Sequence, residues 1–375
     1  TYTLTGFGSG AYTIKPTKPS GAAEQLSFRV SATAAGDVAR LVITNCFWTN
    51  AAQNSTAALR VGYAGSGSNF CDIAGTVRMV QSTPQLFLGG SATCQYAEFN
   101  LLPGGNIELG QFNPGVTAGP TVWNFDGGLL RCQTSRDPWM RGLTNMFVLS
   151  RGAIIDVTAS NYRISWAQPM LDGGGGGGLV KLGPGYLILT NVNTYTGATI
   201  VSNGILVVSG TLGSGAVSVK SGAVLGGGTS IYVSGGGGGA GVIGGPVTVE
   251  SGGTLSPWGY STNTSSLPDN IAPLTINNTL TMQSGSTNAM DINVTNHLND
   301  QVLGLTGVTY NGTLFIRLTG TPTNGQSFTL YSSTGTKTGN FANIVSNPAL
   351  PAGQEWSFNP ANGILSVVVP QPTAN

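Results

Sequence analysis

Residues 217–226 read VSVKSGAVLG, and residues 247–256 read VTVESGGTLS. The two segments align without a gap, Val217 with Val247, and LTMQSGST (280–287) continues the series after a slightly longer step. Apolar and polar residues alternate in each segment, which is the period of a β-strand. Repeats of this length, built from short strands and turns, are typical of solenoids. The sequence therefore predicts coils that stack at the β-sheet spacing of about 4.8 Å.

The same alternation recurs closer to the N-terminus, in LRVG (59–62), LFLG (86–89) and IELG (107–110). No amphipathic stretch of helical length separates these bursts, which argues against alternating strands and helices. The predicted fold class is all-β, a parallel β-helix (β-solenoid) with little or no α-helix. Coils of about 22 residues would give roughly 16 coils between residues 25 and 370.

The composition of the chain disfavours several classes of function. Charged residues make up 8% of the chain, the net charge is +1, and His297 is its one histidine. A nucleic-acid partner is not expected, because binding nucleic acid requires a basic stripe. A single histidine disfavours catalytic triads and histidine-rich metal sites, so neither a cofactor nor a metal is expected. The sequence contains no uninterrupted run of 18 apolar residues, so no transmembrane helix is predicted.

Several features favour export. Residue 1 is Thr, which predicts a signal peptide that has already been cleaved. Four cysteines, an even number, fit an oxidising compartment. The expected location is extracellular or at the cell surface.

The cysteines give candidate disulfides. Cys71 and Cys94 take similar places before a strand, separated by about one coil length. Residues stacked on adjacent coils have Cα atoms within disulfide range, so a Cys71–Cys94 bridge is predicted. Cys46 competes for Cys71, and Cys132 would then pair with Cys94 or with another chain. The sequence leaves these pairings open.

Composition shifts divide the chain into four segments. They are an extended N-terminal strand with a Pro-rich connector (1–20), a solenoid segment that carries all four cysteines (21–172), a second solenoid segment (173–320) and a C-terminal β cap with a polar tail (321–375). Gly173–Gly178 is interpreted as a joint and Gly235–Gly239 as a protruding loop, because glycine runs have no side chains to pack.

Residues 177–210 read GGLVKLGPGYLILTNVNTYTGATIVSNGILVVSG. This segment resembles the autotransporter-associated β-strand repeat, with its Gly-Leu-x-Lys-x-Gly-x-Gly start, Leu-x-Leu strand and Asn-Thr-Tyr-Thr-Gly turn. The resemblance implies a parallel β-helix on an exported, passenger-like protein. It implies no activity, because the repeat is a scaffold. The chain ends in VVVPQPTAN and not in a translocator barrel, so a processed passenger or a stand-alone exported solenoid is expected.

Arginines interleaved with tryptophan form a candidate contact patch, consisting of Arg131, Arg136, Trp139, Arg141 and Arg151. Such patches bind glycans or acidic partners, or bury themselves at a subunit contact. Trp123, Trp166 and Tyr162 are the further residues that would complete an aromatic ladder for glycans.

Catalytic and metal chemistry has few candidates. An active site on a β-helix would need stacked acids, for which Asp126, Asp156 and Asp172 are available. Asp291, Asp300 and the asparagines of DINVTNHLNDQ (291–301) offer oxygen ligands for calcium, but the segment lacks EF-hand spacing, so a solvated turn is favoured. His297 of the same segment is the one candidate for a histidine base, and a catalytic role for it is disfavoured.

These observations favour a non-enzymatic structural protein that assembles head-to-tail into a homopolymer. The N-terminus reads TYTLTGFGSGAYTI, and its candidate assembly strand, which would add to a neighbouring copy, contains Tyr2, Leu4, Phe7, Tyr12 and Ile14. The alternative is that residues 1–20 cap their own first coil. The rival functions are a surface adhesin that binds glycans and a polysaccharide lyase or hydrolase.

The repeat alignment makes one specific structural prediction. Lys220 and Glu250 occupy the same position in consecutive repeats. They are therefore expected to be neighbours on the outer face.

Overall fold

The computed structural model describes residues 2–5, 11–14, 27–32, 34–50, 58–62, 65–79, 84–115, 117–228, 240–258 and 271–370. Throughout these ranges the regular elements are β-strands, without any helix, and their pairing is mostly parallel. The predicted all-β solenoid is confirmed. No helix in the described residues has the length and apolar character needed to cross a membrane. The chain divides into unit 1 (1–187 and 191–197) and unit 2 (188–190 and 198–375).

Up to residue 197 the strands are β1 (Tyr2–Thr5), β2 (Ala11–Ile14), β3 (Ser27–Val30), β4 (Val38–Asn50), β5 (Ala58–Val61), β6 (Ser68–Met79), β7 (Gln85–Leu88), β8 (Tyr96–Leu101), β9 (Asn106–Leu109), β10 (Gln111–Pro114), β11 (Thr121–Phe125), β12 (Leu129–Cys132), β13 (Arg136–Met140), β14 (Asn145–Val148), β15 (Ala153–Val157), β16 (Arg163–Trp166), β17 (Leu171–Asp172), β18 (Leu179–Leu182), β19 (Tyr186–Leu189) and β20 (Val192–Asn193).

From residue 198 on they are β21 (Thr199–Val201), β22 (Gly204–Val208), β23 (Thr211–Leu212), β24 (Val217–Val219), β25 (Ala223–Gly227), β26 (Gly241–Ile243), β27 (Val247–Val249), β28 (Thr254–Ser256), β29 (Pro273–Ile276), β30 (Thr279–Met282), β31 (Thr287–Asn293), β32 (Leu298–Asn299), β33 (Gln301–Tyr310), β34 (Thr313–Thr319), β35 (Ser327–Thr329), β36 (Tyr331–Gly339), β37 (Asn343–Asn347), β38 (Glu355–Asn359) and β39 (Ile364–Val368).

Each complete coil of unit 1 contributes three strands. The first strands β8, β11, β14 and β17 pair in parallel from one coil to the next, and so do the second strands β9, β12, β15 and β18. The third strands form two series, β3–β5–β7–β10 and one that begins β13–β16–β19. Inward side chains stack in apolar columns, for example Cys71 on Phe99, Phe99 on Trp123 and Trp123 on Met146. All of these side chains are buried. The core is therefore a set of ladders that run from coil to coil.

The coils are longer and fewer than predicted. Trp123 pairs with Met146 in the next coil, whereas Val247 pairs with Leu280 after a distinctly longer step along the chain. The solenoid has about 10 turns, so the estimate of roughly 16 was wrong. The error arose at IELG. LRVG and LFLG do pair in consecutive coils, but Ile107 of IELG pairs with Val77 and Leu130 on a different side of the coil.

The N-terminal strands β1 and β2 both pair in parallel with β4 of the same chain. Tyr2 lies opposite Leu41, and Ala11 lies opposite Phe47. This corresponds to the alternative in which the segment covers its own first coil. Of the candidate assembly residues, Phe7 lies outside the described residues.

Unit 2 confirms the repeat alignment that decides the fold. Val217 pairs with Val247, and Val247 with Leu280, in the register read from the sequence. The Ser-Gly pair of each repeat forms a corner, in which Gly222, Gly252 and Gly285 have φ values of 76°, 77° and 79°. Side chains rarely adopt this left-handed conformation, which explains why each repeat carries glycine at that position.

Lys220 and Glu250 lie side by side as predicted, with 2.5 Å between Nζ and Oε1. Hydrogen bonds from Lys220 and then from Ser218 lower the pKa of Glu250. Both side chains are partly exposed to solvent, so a double-mutant cycle with Lys220→Ala and Glu250→Ala is expected to give a coupling energy of about 0.2–1 kcal/mol. Urea denaturation measures it, and a coupling far above this range would contradict an exposed pair.

A three-stranded antiparallel sheet lies at the last coil of unit 2, formed by β35 before strands β36 and β37 of that coil and by β38 and β39 after them. Strand β39 lies between β35 and β38 in it. Phe358 of this sheet packs edge-on against the buried rings of Tyr310 and Tyr331, and against Phe341. The sheet therefore covers part of the apolar interior that would otherwise be open at the last coil.

Candidate binding surface of unit 1

Charged side chains on the outer side of the second strands form an alternating ladder. Arg78, Glu108, Arg131 and Asp156 occupy consecutive coils in register. The nitrogen–oxygen distances from Arg78 to Glu108, Arg131 to Glu108 and Arg131 to Asp156 are each 3.4 Å. Cation and anion alternate at every step, so the ladder neutralises itself.

The outer side of the first strands carries a second polar chain. Arg40 Nε donates to Asp72 at 2.6 Å, and Asn100 donates to the other oxygen of Asp72 at 2.7 Å. The Asn124 side-chain amide in turn donates to Oδ1 of Asn100 at 2.7 Å. Asp72 is almost fully buried, so these hydrogen bonds replace the water that its charge has lost. The chain fixes the coils in register.

The three aspartates considered for catalysis do not stack. Asp156 lies opposite Arg131, Asp126 makes an ion pair with Arg151 at 3.2 Å, and Asp172 lies opposite Val148. Asp156 lies on the second strand β15, whereas Asp126 follows the first strand β11 and Asp172 ends the first strand β17. The disfavoured alternative of a column of stacked acids is therefore not formed.

Two arginines of the predicted contact patch are occupied, and two are not. Arg131 and Arg151 belong to the ion pairs above. Arg136 and Arg141, at the two ends of β13, are exposed and have no carboxylate within 4.0 Å among the described residues. Trp139, between them, is fully buried and donates its indole N–H to the Gly110 carbonyl at 3.1 Å. The patch is therefore reduced to its two exposed arginines.

The predicted aromatic ladder is a core. Trp123, Trp139 and Trp166 are buried, and the rings of Trp139 and Trp166 stack with centroids 5.9 Å apart and an interplanar angle of 17°. Tyr162 is the one member of that set on the surface, and it is half-buried. Sequence alone could not separate a ladder inside the coil from one outside it, because both faces repeat with the same step.

A third arginine, which sequence reasoning missed, lies beside Arg136 on the next coil. The Arg163 backbone N–H donates to Ser135 Oγ at 3.0 Å, which ties the start of β16 to the residue before β13. The Arg163 guanidinium lies 4.7 Å from the ring centroid of Tyr186 on the following coil. We call Arg136, Arg141 and Arg163 the basic patch. The acid on the same strand is Asp137, which is half-buried and has interactions of its own.

The predicted Cys71–Cys94 disulfide is not formed. Cys71, Cys94 and Cys132 are buried free thiols, and the register places Cys71 against Phe99. Cys94 lies beside Asn69, in a corner and not in the Cys71 column. Burial raises the pKa of Cys71 and Cys132 well above the usual range, so both thiols are unreactive. The side chain of Cys46 lies outside the described residues.

Lys181 of the repeat points into the core. It lies opposite buried Ile155, and its Nζ donates to the carbonyls of Leu182 and Gly183 at 2.8 Å each. Burial lowers the pKa of Lys181 from 10.5 to about 8, against the opposing effects of Asp156 and then Cys132. The sequence carried a signal for this burial. Leu179 and Lys181 are two residues apart in the same strand, so their side chains point to the same face.

In unit 2, the segment predicted as a solvated turn contains a buried acid. The two oxygens of Asp300 accept the backbone N–H groups of Ala272 and Asp291, each at 3.0 Å. Burial and then the Asp291 charge raise the pKa of Asp300 well above its usual range. Asp291 is held by Arg317 at 2.5 Å, and exposed His297 has a φ of 55°. The described residues contain no group of three His, Cys, Asp or Glu side chains able to hold a metal ion.

Similar proteins are known for parts of this chain. The Passenger-associated-transport-repeat family matches residues 179–208. An 88-residue stretch is 36% identical to the adhesin BmaC autotransporter of Brucella suis biovar 1 (strain 1330) and covers 23% of this chain and 2% of that protein. The crystal structure of the Haemophilus influenzae Hap adhesin aligns over 90% of this chain and 46% of its own, with 11% identity and a TM-score of 0.31.

The family match falls within the segment whose residues resemble the repeat, so that interpretation is confirmed. The chain spans only a small part of the curated relative that it matches. The chain is a β-solenoid that is similar to autotransporter passengers and matches the Passenger-associated-transport-repeat at residues 179–208.

Proposed function

We propose that this protein is a non-enzymatic surface adhesin that binds glycans through unit 1, outside the cell. The observation that carries the proposal is the basic patch. Arg136 and Arg141 stay exposed and unpaired among the described residues, whereas the outward-facing Arg40, Arg78, Arg131 and Arg151 make ion pairs with carboxylates. A cation without an internal partner is available to a ligand. Similarity to the adhesin named above supports a role at the cell surface.

A binding role fits the acids better than a catalytic one. General acid–base chemistry on a sugar needs two carboxyl groups that face the substrate from opposite sides of the scissile bond. In unit 1, Asp72, Glu108, Asp126 and Asp156 are each engaged by an arginine. Their charge is used to hold the coils together.

Head-to-tail assembly of the chain into a fibre remains a second hypothesis with less support. Strand addition requires β1 and β2 to leave β4, to which both are paired in their own chain. The antiparallel sheet β35–β39–β38 also lies at the last coil, and end structures of this kind oppose stacking of further coils. We therefore favour the adhesin, which the sequence had ranked second.

A glycan array probed with the labelled full-length chain tests this function. We expect binding to a subset of glycans and a loss of at least tenfold in Arg136→Gln/Arg141→Gln, because these side chains offer charge-assisted hydrogen bonds to the ligand. The bound glycans should be recovered uncleaved. Binding to no glycan on the array, or release of shortened products, would contradict the proposal.

The matched control is Arg78→Gln/Arg151→Gln. It removes two exposed cations from the same unit, but both are already paired with acids. We expect this variant to bind like the wild type. An equal loss in both variants would assign the effect to net charge and not to the patch.

A further inference from the structure

The basic patch has a charge balance unlike the rest of unit 1. Its three arginines share β13 and β16 and the residue after β13, where Asp137 is the one described acid. The ladder on the second strands instead alternates arginine with carboxylate, and on the first strands Arg40 is paired with Asp72. The basic patch on the third strands therefore attracts anions, whereas those arginines are already balanced by their neighbours.

The geometry also prepares the patch for a ligand. The contact of the Arg163 guanidinium with the Tyr186 ring restricts that side chain, which reduces the side-chain entropy lost on binding. Arg136 and Arg163 lie on adjacent coils, whose strands are about 4.8 Å apart. The hydrogen bond from the Arg163 backbone to Ser135 keeps the starts of these two strands together. Arg141 extends the patch to the other end of β13. Anionic groups repeated along a chain can therefore contact several arginines at once.

Resting on the proposed function, we propose that the basic patch binds an acidic polysaccharide, one whose sugar units carry carboxylate or sulfate groups. The guanidinium fork matches the two oxygens of either group. A polymer is required, because a single contact with an exposed arginine contributes little and several contacts in one chain add up. Nucleic acid fits less well, since three arginines are few against the long basic stripes used for it.

Biolayer interferometry with the full-length chain tests the ligand class. The probes are polygalacturonate for carboxylates, dextran sulfate for sulfates, neutral dextran and single-stranded DNA. We expect binding to at least one acidic polysaccharide and none to neutral dextran. Affinity should fall with salt, with a log–log slope no steeper than about 3, because about three ion contacts are broken.

Variants locate the site. The double variant Arg136→Gln/Arg141→Gln should weaken acidic polysaccharide binding by at least tenfold. Arg163→Gln should weaken it by about threefold. The control Arg78→Gln/Arg151→Gln should bind like the wild type. Circular dichroism of each variant confirms that the solenoid is intact. Equal loss in the Arg78/Arg151 control, or tighter binding of DNA than of both acidic polysaccharides, overturns the proposal.

The outcomes also separate this inference from the proposed function. Binding to neutral glycans on the array without binding to polygalacturonate or dextran sulfate keeps the adhesin and rejects the acidic ligand. Binding to no glycan of any kind rejects both.

Discussion

Replacing Trp166 with alanine is expected to lower the free energy of unfolding by about 3–5 kcal/mol, the usual cost of removing a large buried aromatic side chain. Trp166 is 1% exposed, stacks on Trp139 and lies 6.3 Å from the ring of Phe125. Alanine would leave a cavity shared by neighbouring coils, because these rings come from different turns of the ladder. For a unit of this size the melting temperature should fall by roughly 10 °C.

The measurement is urea denaturation of the full-length chain followed by tryptophan fluorescence. Four of the six tryptophans belong to unit 1, so the signal reports mainly on that unit. Tyr162→Ala is the control, since it removes a half-buried ring from the same coil and should cost clearly less. Unchanged stability of Trp166→Ala, together with lost glycan binding, would place the indole on the surface and contradict the core assignment.

Because of Lys181, the free energy of unfolding of unit 1 is expected to vary with pH in the alkaline range. Its pKa is about 8 in the folded chain, against 10.5 when exposed, so the unfolded chain holds more protons between these values. Stability therefore rises with pH from 8 to 10.5, and below pH 8 the full cost of the buried charge is present. The shift corresponds to about 3 kcal/mol.

The test compares wild type with Lys181→Met from pH 7 to 10.5. The difference in unfolding free energy, wild type minus variant, should increase by about 3 kcal/mol over this range. The raised pKa values of Cys71 and Cys132 lower stability above pH 9 in both proteins, and most of that effect cancels in the difference. Lys220→Met, at a partly exposed lysine outside the core, is the matched control for the loss of a lysine. Parallel pH profiles for wild type and Lys181→Met would contradict a buried amine.

Where the sequence repeats with an unambiguous step, it predicts pairing to the residue. Val217, Val247 and Leu280 pair as aligned, and Lys220 meets Glu250, because alternation and the corner glycine define the register together. In unit 1 the motifs recur on more than one side of the coil. Ile107 was therefore assigned to the wrong ladder, and coil length was underestimated.

The candidate site was predicted only in part, for a physical reason. Composition drew attention to residues 131–151, and Arg136 and Arg141 remain candidates. Which arginines are free depends on acids one coil away, such as Glu108 and Asp126, and that requires the register. Whether a tryptophan faces inward depends on strand phase, which a bulge in β13 disturbs between Arg136 and Met140.

The unequal coil steps bear on how such a chain changes over generations. The short step from Trp123 to Met146 and the longer one from Val247 to Leu280 are both bridged by in-register ladders, so the strands keep their pairing although the chain between them differs in length. The cost of loop closure grows only slowly with length, by about 0.6 kcal/mol for each doubling. Insertions at a corner can therefore accumulate while the strands beneath keep their partners. A lineage of this fold can vary its surface by lengthening corners and can preserve the scaffold that displays them.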